Sequence, residues 1–137
     1  MDERKIRVLL GKGTMDAHDR GVRYLATKLR EAGMEVIFMN FLEPKDVLDA
    51  AIQEDVDVVG ISSSVEGHIP VARELTGKLR ESGKADVLVV FGGVIPERDF
   101  QGMREMGVKG IFGPGSFADS VVEFVRANVR PHRVPAV

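Results

Sequence analysis

IRVLLGKGTMDAHDRG, residues 6–21, is the stretch that decides the fold, because an apolar run passes directly into a polar, glycine-containing segment. The nearly continuous apolar run at residues 6–10 is typical of a strand buried on both faces. Residues 11–20 then form a loop. A helical pattern follows over residues 21–32, with apolar residues at helical spacing until Gly33 ends it.

The same alternation continues through the rest of the chain. Further strands are predicted at residues 35–39, 56–61, 86–91 and 109–112, and further helices at 44–54, from 69 or 70 to 81, 98–106 and 117–128. Such alternation implies right-handed crossovers and a parallel sheet covered on both faces. The predicted fold class is α/β, a doubly wound five-stranded parallel sheet with the flavodoxin-like order 2-1-3-4-5. One domain is expected over residues 1–130, with a C-terminal tail over 131–137.

Composition excludes several classes of function. The chain has 137 residues, no cysteine and a net charge of -2. Disulfides, thiolate metal sites and a cysteine nucleophile are therefore excluded. The charge gives no general attraction to nucleic acid, and no apolar run approaches the roughly 20 residues that span a bilayer. The N-terminus does not resemble a signal peptide, so a cytoplasmic protein without a nucleic-acid or membrane partner is expected.

In a doubly wound sheet, ligands bind beyond the carboxyl ends of the strands, at the switch point between strands 1 and 3. The polar and glycine-rich segments fall at that edge: residues 11–20, 62–68, 92–97 and 113–116.

His18 is the side chain at this edge that is best suited to bind a metal. A loop histidine can present one ring nitrogen as a ligand, while Asp16 accepts a hydrogen bond from the other and so orients the ring. Lys12 would pair with Asp16 and tune that hydrogen bond. The same three residues also describe a surface loop histidine beside a helix cap, and the pattern alone does not separate the two interpretations.

The other strand ends leave similar alternatives open. Ser62 and Ser64 would hydrogen-bond a buried polar group or simply cap a strand, and Gly92-Gly93 would form a channel or an ordinary tight turn. Nucleotide motifs are missing, and one tyrosine without tryptophan gives little to sandwich a flavin. A phosphoacceptor receiver domain would need an aspartate where the third strand ends in serines.

Four motifs in order then point to a family. They are D-x-H-x-x-G (Asp16, His18, Gly21), the serine run 62–64 followed by Gly67-His68, GGVIP at 92–96 and FGPG at 112–115. Over residues 5–129 the chain resembles the cobalamin (B12)-binding domain, or small subunit, of the coenzyme-B12-dependent acyl-CoA mutases, the methylmalonyl-CoA mutase family.

The resemblance implies adenosylcobalamin as cofactor and His18 as the lower cobalt ligand in place of dimethylbenzimidazole. Asp16 would be its hydrogen-bonding partner, backed by Lys12, and no residue of this chain alone would be catalytic. The displaced tail would run between sheet and helices. The implied cofactor-binding residues are Asp16, His18, Asp19, Arg20, Gly21, Ser62, Ser64, Gly67, His68, Gly92, Gly93, Gly113, Pro114 and Gly115.

The resemblance also implies a partner, because a (β/α)8 barrel that binds acyl-CoA needs about 250 residues. A large acyl-CoA-binding mutase subunit is expected, in a heterotetramer that isomerises a methylmalonyl-CoA-like or 2-hydroxyisobutyryl-CoA-like substrate. The alternatives are a non-catalytic cobalamin carrier or sensor, and a cofactor-free interaction domain. Thr14, Ala17, Ser64 and Glu66 depart from the family pattern and leave the substrate open.

Overall fold

The computed structural model describes residues 5–13, 20–62, 68–113 and 118–129. Within these ranges five strands form one sheet: β1 (Arg7–Gly13), β2 (Glu35–Phe41), β3 (Val58–Ser62), β4 (Leu88–Gly92) and β5 (Gly110–Phe112). The helices are α1 (Arg20–Glu31), α2 (Pro44–Gln53), α3 (His68–Glu81), α4 (Phe100–Met106) and α5 (Ala118–Asn128), and a single 3-10 turn, Glu97–Asp99, precedes α4.

The order of the strands across the sheet is β2-β1-β3-β4-β5. Every neighbouring pair is parallel. The predicted doubly wound, flavodoxin-like fold is therefore confirmed, and the switch point lies between β1 and β3, as expected. No helix in the described part of the chain has the length and apolarity to cross a membrane.

All five strands differ from their predicted bounds by up to three residues at an end, β1 most of all. β1 continues to Gly13 rather than ending at residue 10, because Lys12 pairs with Asn40 of β2 on one side and Ser62 of β3 on the other. β3 begins at Val58 rather than residue 56. Just before it, the buried Asp57 carboxylate accepts a hydrogen bond from the Arg7 backbone N–H at 2.9 Å, which ties the start of β3 to β1.

Apolar cores cover both faces of the sheet. One core joins the sheet to α2, α3 and α4, and the other joins it to α1 and α5. Because successive side chains of a strand point to opposite faces, Leu9 of β1 belongs to the first core, whereas Val8 and Leu10 belong to the second. Burial on both faces explains why this strand reads as a continuous apolar run.

Replacing Asp57 with alanine tests the link between β1 and β3. Asp57→Ala leaves the Arg7 N–H without its carboxylate partner in a buried setting, so we expect the free energy of unfolding in urea to fall by about 1–3 kcal/mol. The matched control is Asp49→Ala, because Asp49 makes an exposed 3.7 Å ion pair with Lys45 on α2. The control substitution should lower the free energy of unfolding by less than about 0.5 kcal/mol. Equal losses in the two variants would contradict the role of Asp57 in linking β1 to β3.

Candidate functional site

A cavity of about 560 Å³ lies between the sheet and the pair of helices α1 and α5. This volume is within the range of pockets that hold small ligands and cofactors. Its walls are mainly apolar and come from strands and helices alike: Val8, Leu10, Val58, Val90, Val22, Leu25, Leu29, Val121 and Val125.

The cavity exists because the side chains of β3 and β4 on this face become smaller toward the carboxyl edge. The paired residues are, in order, Val58 opposite Leu88, Gly60 opposite Val90, and Ser62 opposite Gly92. A Cβ at Gly60 would lie 2.8 Å from Cδ2 of Leu10, so a side chain at this position would require the Leu10 side chain to move. This face of the sheet is therefore covered by large side chains at the amino ends of the strands and left open at their carboxyl ends.

Bare backbone forms the wall at the carboxyl edge. Gly93 follows β4 with φ of 123°, a conformation that favours glycine, and its N–H donates to the carbonyl of Phe112 at 3.0 Å. A Cβ at Gly21 or Gly113 would meet no atom of the described residues within 4 Å, so the described part of the chain leaves space beside both residues. The predicted site residues that the structure brings together around this cavity are Gly21, Ser62, Gly92, Gly93 and Gly113.

Phe112 closes the β5 side of the cavity. Its ring makes an edge-to-face contact with Phe124 of α5, with ring centroids 5.6 Å apart. A Cβ at Gly110 would lie 2.8 Å from Cε2 of Phe124, so glycine at this position makes room for the aromatic pair. The pair thus fixes α5 against the edge of the sheet.

Three polar side chains of the lining come from the helices and were not predicted from the sequence: Tyr24, Lys28 and Asp119. The Lys28 Nζ lies 5.8 Å from the Tyr24 ring centroid and 3.5 Å from the Glu31 carboxylate. Tyr24, through its ionisable hydroxyl, and then Glu31 raise the pKa of Lys28, so its ammonium group stays charged at neutral pH. The helical side of an otherwise apolar cavity therefore carries polar and charged groups.

The remaining predicted site residues lie elsewhere or outside the described residues. Lys12 is buried, and its Nζ donates to the Gly13 carbonyl at 3.2 Å. Arg20 is the exposed first residue of α1. Those outside the described residues are Asp16, His18, Asp19, Ser64, Gly67, Pro114 and Gly115. The segment 14–19 nevertheless follows directly after the carboxyl end of β1. Helix α1 begins immediately after it at Arg20, one residue before Gly21.

His68 lies away from the cavity lining, although the sequence placed it among the cofactor-binding residues. It begins α3, is buried, and places Nε2 2.8 Å from Oδ2 of Asp99. Asp99 ends the 3-10 turn that follows β4. Direct contact between His68 and a cofactor stays a prediction.

The fold and the cavity define a doubly wound α/β domain with a cofactor-sized, mostly apolar site at the carboxyl edge of its sheet. The family model of the B12 binding domain matches residues 6–123. The chain belongs to the B12-binding domain family, and the resemblance found in the sequence motifs is confirmed.

Curated relatives cover nearly the whole chain. It is 38% identical over 130 residues to the 2-hydroxyisobutanoyl-CoA mutase small subunit of Aquincola tertiaricarbonis, covering 94% of this chain and 96% of that one. It is 42% identical to the pivalyl-CoA mutase small subunit of Xanthobacter autotrophicus, covering 90% of this chain and 84% of that one. It is 39% identical to the methylmalonyl-CoA mutase of Cereibacter sphaeroides, covering 95% of this chain but only 18% of that longer protein.

Among solved structures, a cobalamin-binding protein from Desulfitobacterium hafniense DCB-2 superimposes with a TM-score of 0.77 at 21% identity. The match covers 93% of this chain and 60% of that one. At this identity the likeness shows the fold alone.

Proposed function

We propose that this chain is the cobalamin-binding small subunit of an adenosylcobalamin-dependent acyl-CoA mutase, an isomerase that acts only together with a large subunit. The observation that carries the proposal is the cavity between the sheet and α1 and α5, in a chain of the B12-binding domain family. The match to separate small subunits over 96% and 84% of their lengths supports the two-subunit arrangement.

The residues around the cavity fit the tail of cobalamin. Dimethylbenzimidazole is a flat, mostly apolar heterocycle, and the valines and leucines of the cavity offer it an apolar environment of sufficient volume. The chain that connects this ring to the corrin is polar and must pass the carboxyl edge. There Gly92, Gly93 and Gly113 expose backbone instead of side chains, and Ser62 supplies a hydroxyl.

His18 is proposed as the lower cobalt ligand, oriented by Asp16 with Lys12 behind it. Two described features support the placement. The segment 14–19 joins the end of β1 to the start of α1, and Gly21 of α1 already lines the cavity that would receive the tail. The segment that contains His18 is therefore joined at both ends to elements that line the cavity where the displaced base would lie. Buried Lys12 places its amino group at the entry of the segment, next to the Gly13 carbonyl.

The chemistry that adenosylcobalamin supplies when bound is the radical initiation of a carbon-skeleton rearrangement. This chain would hold the tail in the apolar cavity, present His18 to the cobalt and so set the orientation of the corrin face turned toward the large subunit. The large subunit would bind the acyl-CoA and exclude water. We propose a heterotetramer with a 2-hydroxyisobutyryl-CoA-like or methylmalonyl-CoA-like substrate, whose selection lies mostly in that subunit.

The axial ligand is tested by the absorption spectrum of the purified chain mixed with hydroxocobalamin or adenosylcobalamin. The wild type should bind and show a histidine-coordinated, base-off spectrum, because a neutral imidazole replaces the benzimidazole. That spectrum should disappear in His18→Ala and persist in His132→Ala, the matched control. A wild-type chain that binds neither cobalamin would overturn the proposed function.

The cavity is tested by filling it. Gly21→Leu adds a side chain where the structure has free space, so the fold should tolerate it and the better helix former should raise the free energy of unfolding by up to about 1 kcal/mol. Because the leucine competes with the tail for volume, the dissociation constant for cobalamin should rise roughly tenfold or more.

Gly102→Leu is the control for this variant, since Gly102 of α4 also has free space beside it but lies on the opposite side of the sheet. Its affinity for cobalamin should equal that of the wild type. Unchanged affinity in Gly21→Leu would contradict the placement of the tail.

A further inference from the structure

We infer that His68 and Asp99 are positioning residues, which form a latch between the start of α3 and the segment 93–99 that follows β4. The inference rests on the proposed function and deepens it, because this segment begins with Gly93 and Val94, which line the cavity that would take the cobalamin tail. It also gives His68 a role other than direct contact with the cofactor.

The two strands end side by side. Ser62 and Gly92 are the last paired residues of β3 and β4, and both line the cavity. From Ser62 the chain runs through residues 63–67 to His68, and from Gly92 it runs through Gly93 and Val94 to Asp99. The hydrogen bond between His68 and Asp99 therefore closes a ring that starts at two adjacent strand ends.

The latch lies in a setting that strengthens a hydrogen bond. The His68 side chain is 8% exposed and that of Asp99 is 25% exposed. The residues next to them, Ile69 and Phe100, pack against the core formed with α2, α3 and α4. A short polar contact of 2.8 Å at the edge of an apolar core is electrostatically stronger than the same contact in water.

The geometry also assigns the roles of the two ring nitrogens. An ionised carboxylate only accepts hydrogen bonds, so Nε2 of His68 must carry the proton that it donates to Oδ2 of Asp99. Nδ1 is buried and has no partner among the described residues. The bond to Asp99 is therefore the contact that fixes the ring, and it comes from the loop after β4 rather than from the helix of His68.

The expected effect on binding follows from preorganisation. A loop that is already held in place loses less conformational freedom when a ligand binds, and affinity rises accordingly. With the latch intact, the segment 93–99 is held against the start of α3 before cobalamin arrives. Without the latch, part of the binding free energy is spent on ordering that segment.

The test compares variants that keep or break the contact at Nε2. The amide nitrogen of glutamine occupies nearly the position of Nε2, whereas asparagine is too short to reach it. His68→Gln and Asp99→Asn should therefore keep the bond and bind hydroxocobalamin within about threefold of wild type. His68→Asn and Asp99→Ala should raise the dissociation constant roughly tenfold, which is the size of effect that follows from breaking a buried hydrogen bond.

Binding is measured by absorbance titration at a temperature where circular dichroism shows every variant folded. Glu105→Ala is the control, since it removes an exposed 3.2 Å hydrogen bond with Gln101 on the adjoining helix α4. It should bind like the wild type. If Asp99→Ala does not fold, Asp99→Ser replaces it, because serine is also too short to reach Nε2, and the same loss of affinity is expected.

Two results would overturn the latch. One is a lowered melting temperature with wild-type affinity in His68→Asn and Asp99→Ala, which would make the bond a feature of stability alone. The other is an equal loss of affinity in His68→Gln and His68→Asn, which would show that a hydrogen-bond donor at the position of Nε2 is not what binding requires. Failure of the wild-type chain to bind hydroxocobalamin would instead overturn the proposed function, and this inference with it.

Discussion

The constraint on which the site depends is the progressive loss of side-chain volume along one face of the sheet. A parallel sheet is normally packed on both faces along its whole length. Here β3 and β4 carry valine and leucine at the amino end of the face under α1 and α5, then Gly60 and Val90, then Ser62 and Gly92. The helices rest on the filled end and on the Phe112–Phe124 pair, and the other end remains open as a cavity.

This asymmetry separates stability from binding within one small domain. The face that packs against α2, α3 and α4 is closed by large side chains, among them Phe91 and Met103, both fully buried. The opposite face is packed less completely, and the resulting cavity is the space that a cofactor tail would fill. In the proposed complex, the ligand completes the core of this chain while the large subunit supplies the substrate site. A small subunit of this design binds and orients the cofactor but does not catalyse the reaction alone.

The sequence was sufficient for the fold and for part of the cavity wall at the carboxyl edge of the sheet. Apolar runs and helical spacing predicted the strand order, and glycines and a serine at strand ends predicted the cavity wall at Ser62, Gly92 and Gly113. Gly60 was overlooked, although a glycine inside an apolar strand is itself a signal of close approach. Tyr24, Lys28 and Asp119 carried no such signal, because polar residues on an exposed helix face look alike until the packing of the helix is known. The partnership of His68 with Asp99, 31 positions apart, depended on tertiary structure in the same way.

The most direct measurement is an experimental structure of this chain loaded with cobalamin. We expect the dimethylbenzimidazole to have left the cobalt and to lie between the sheet and helices α1 and α5, with its tether passing the backbone of Gly92 and Gly93. A structure in which the base remains on the cobalt and the cavity stays empty would contradict the central claim, whatever the affinity of the complex.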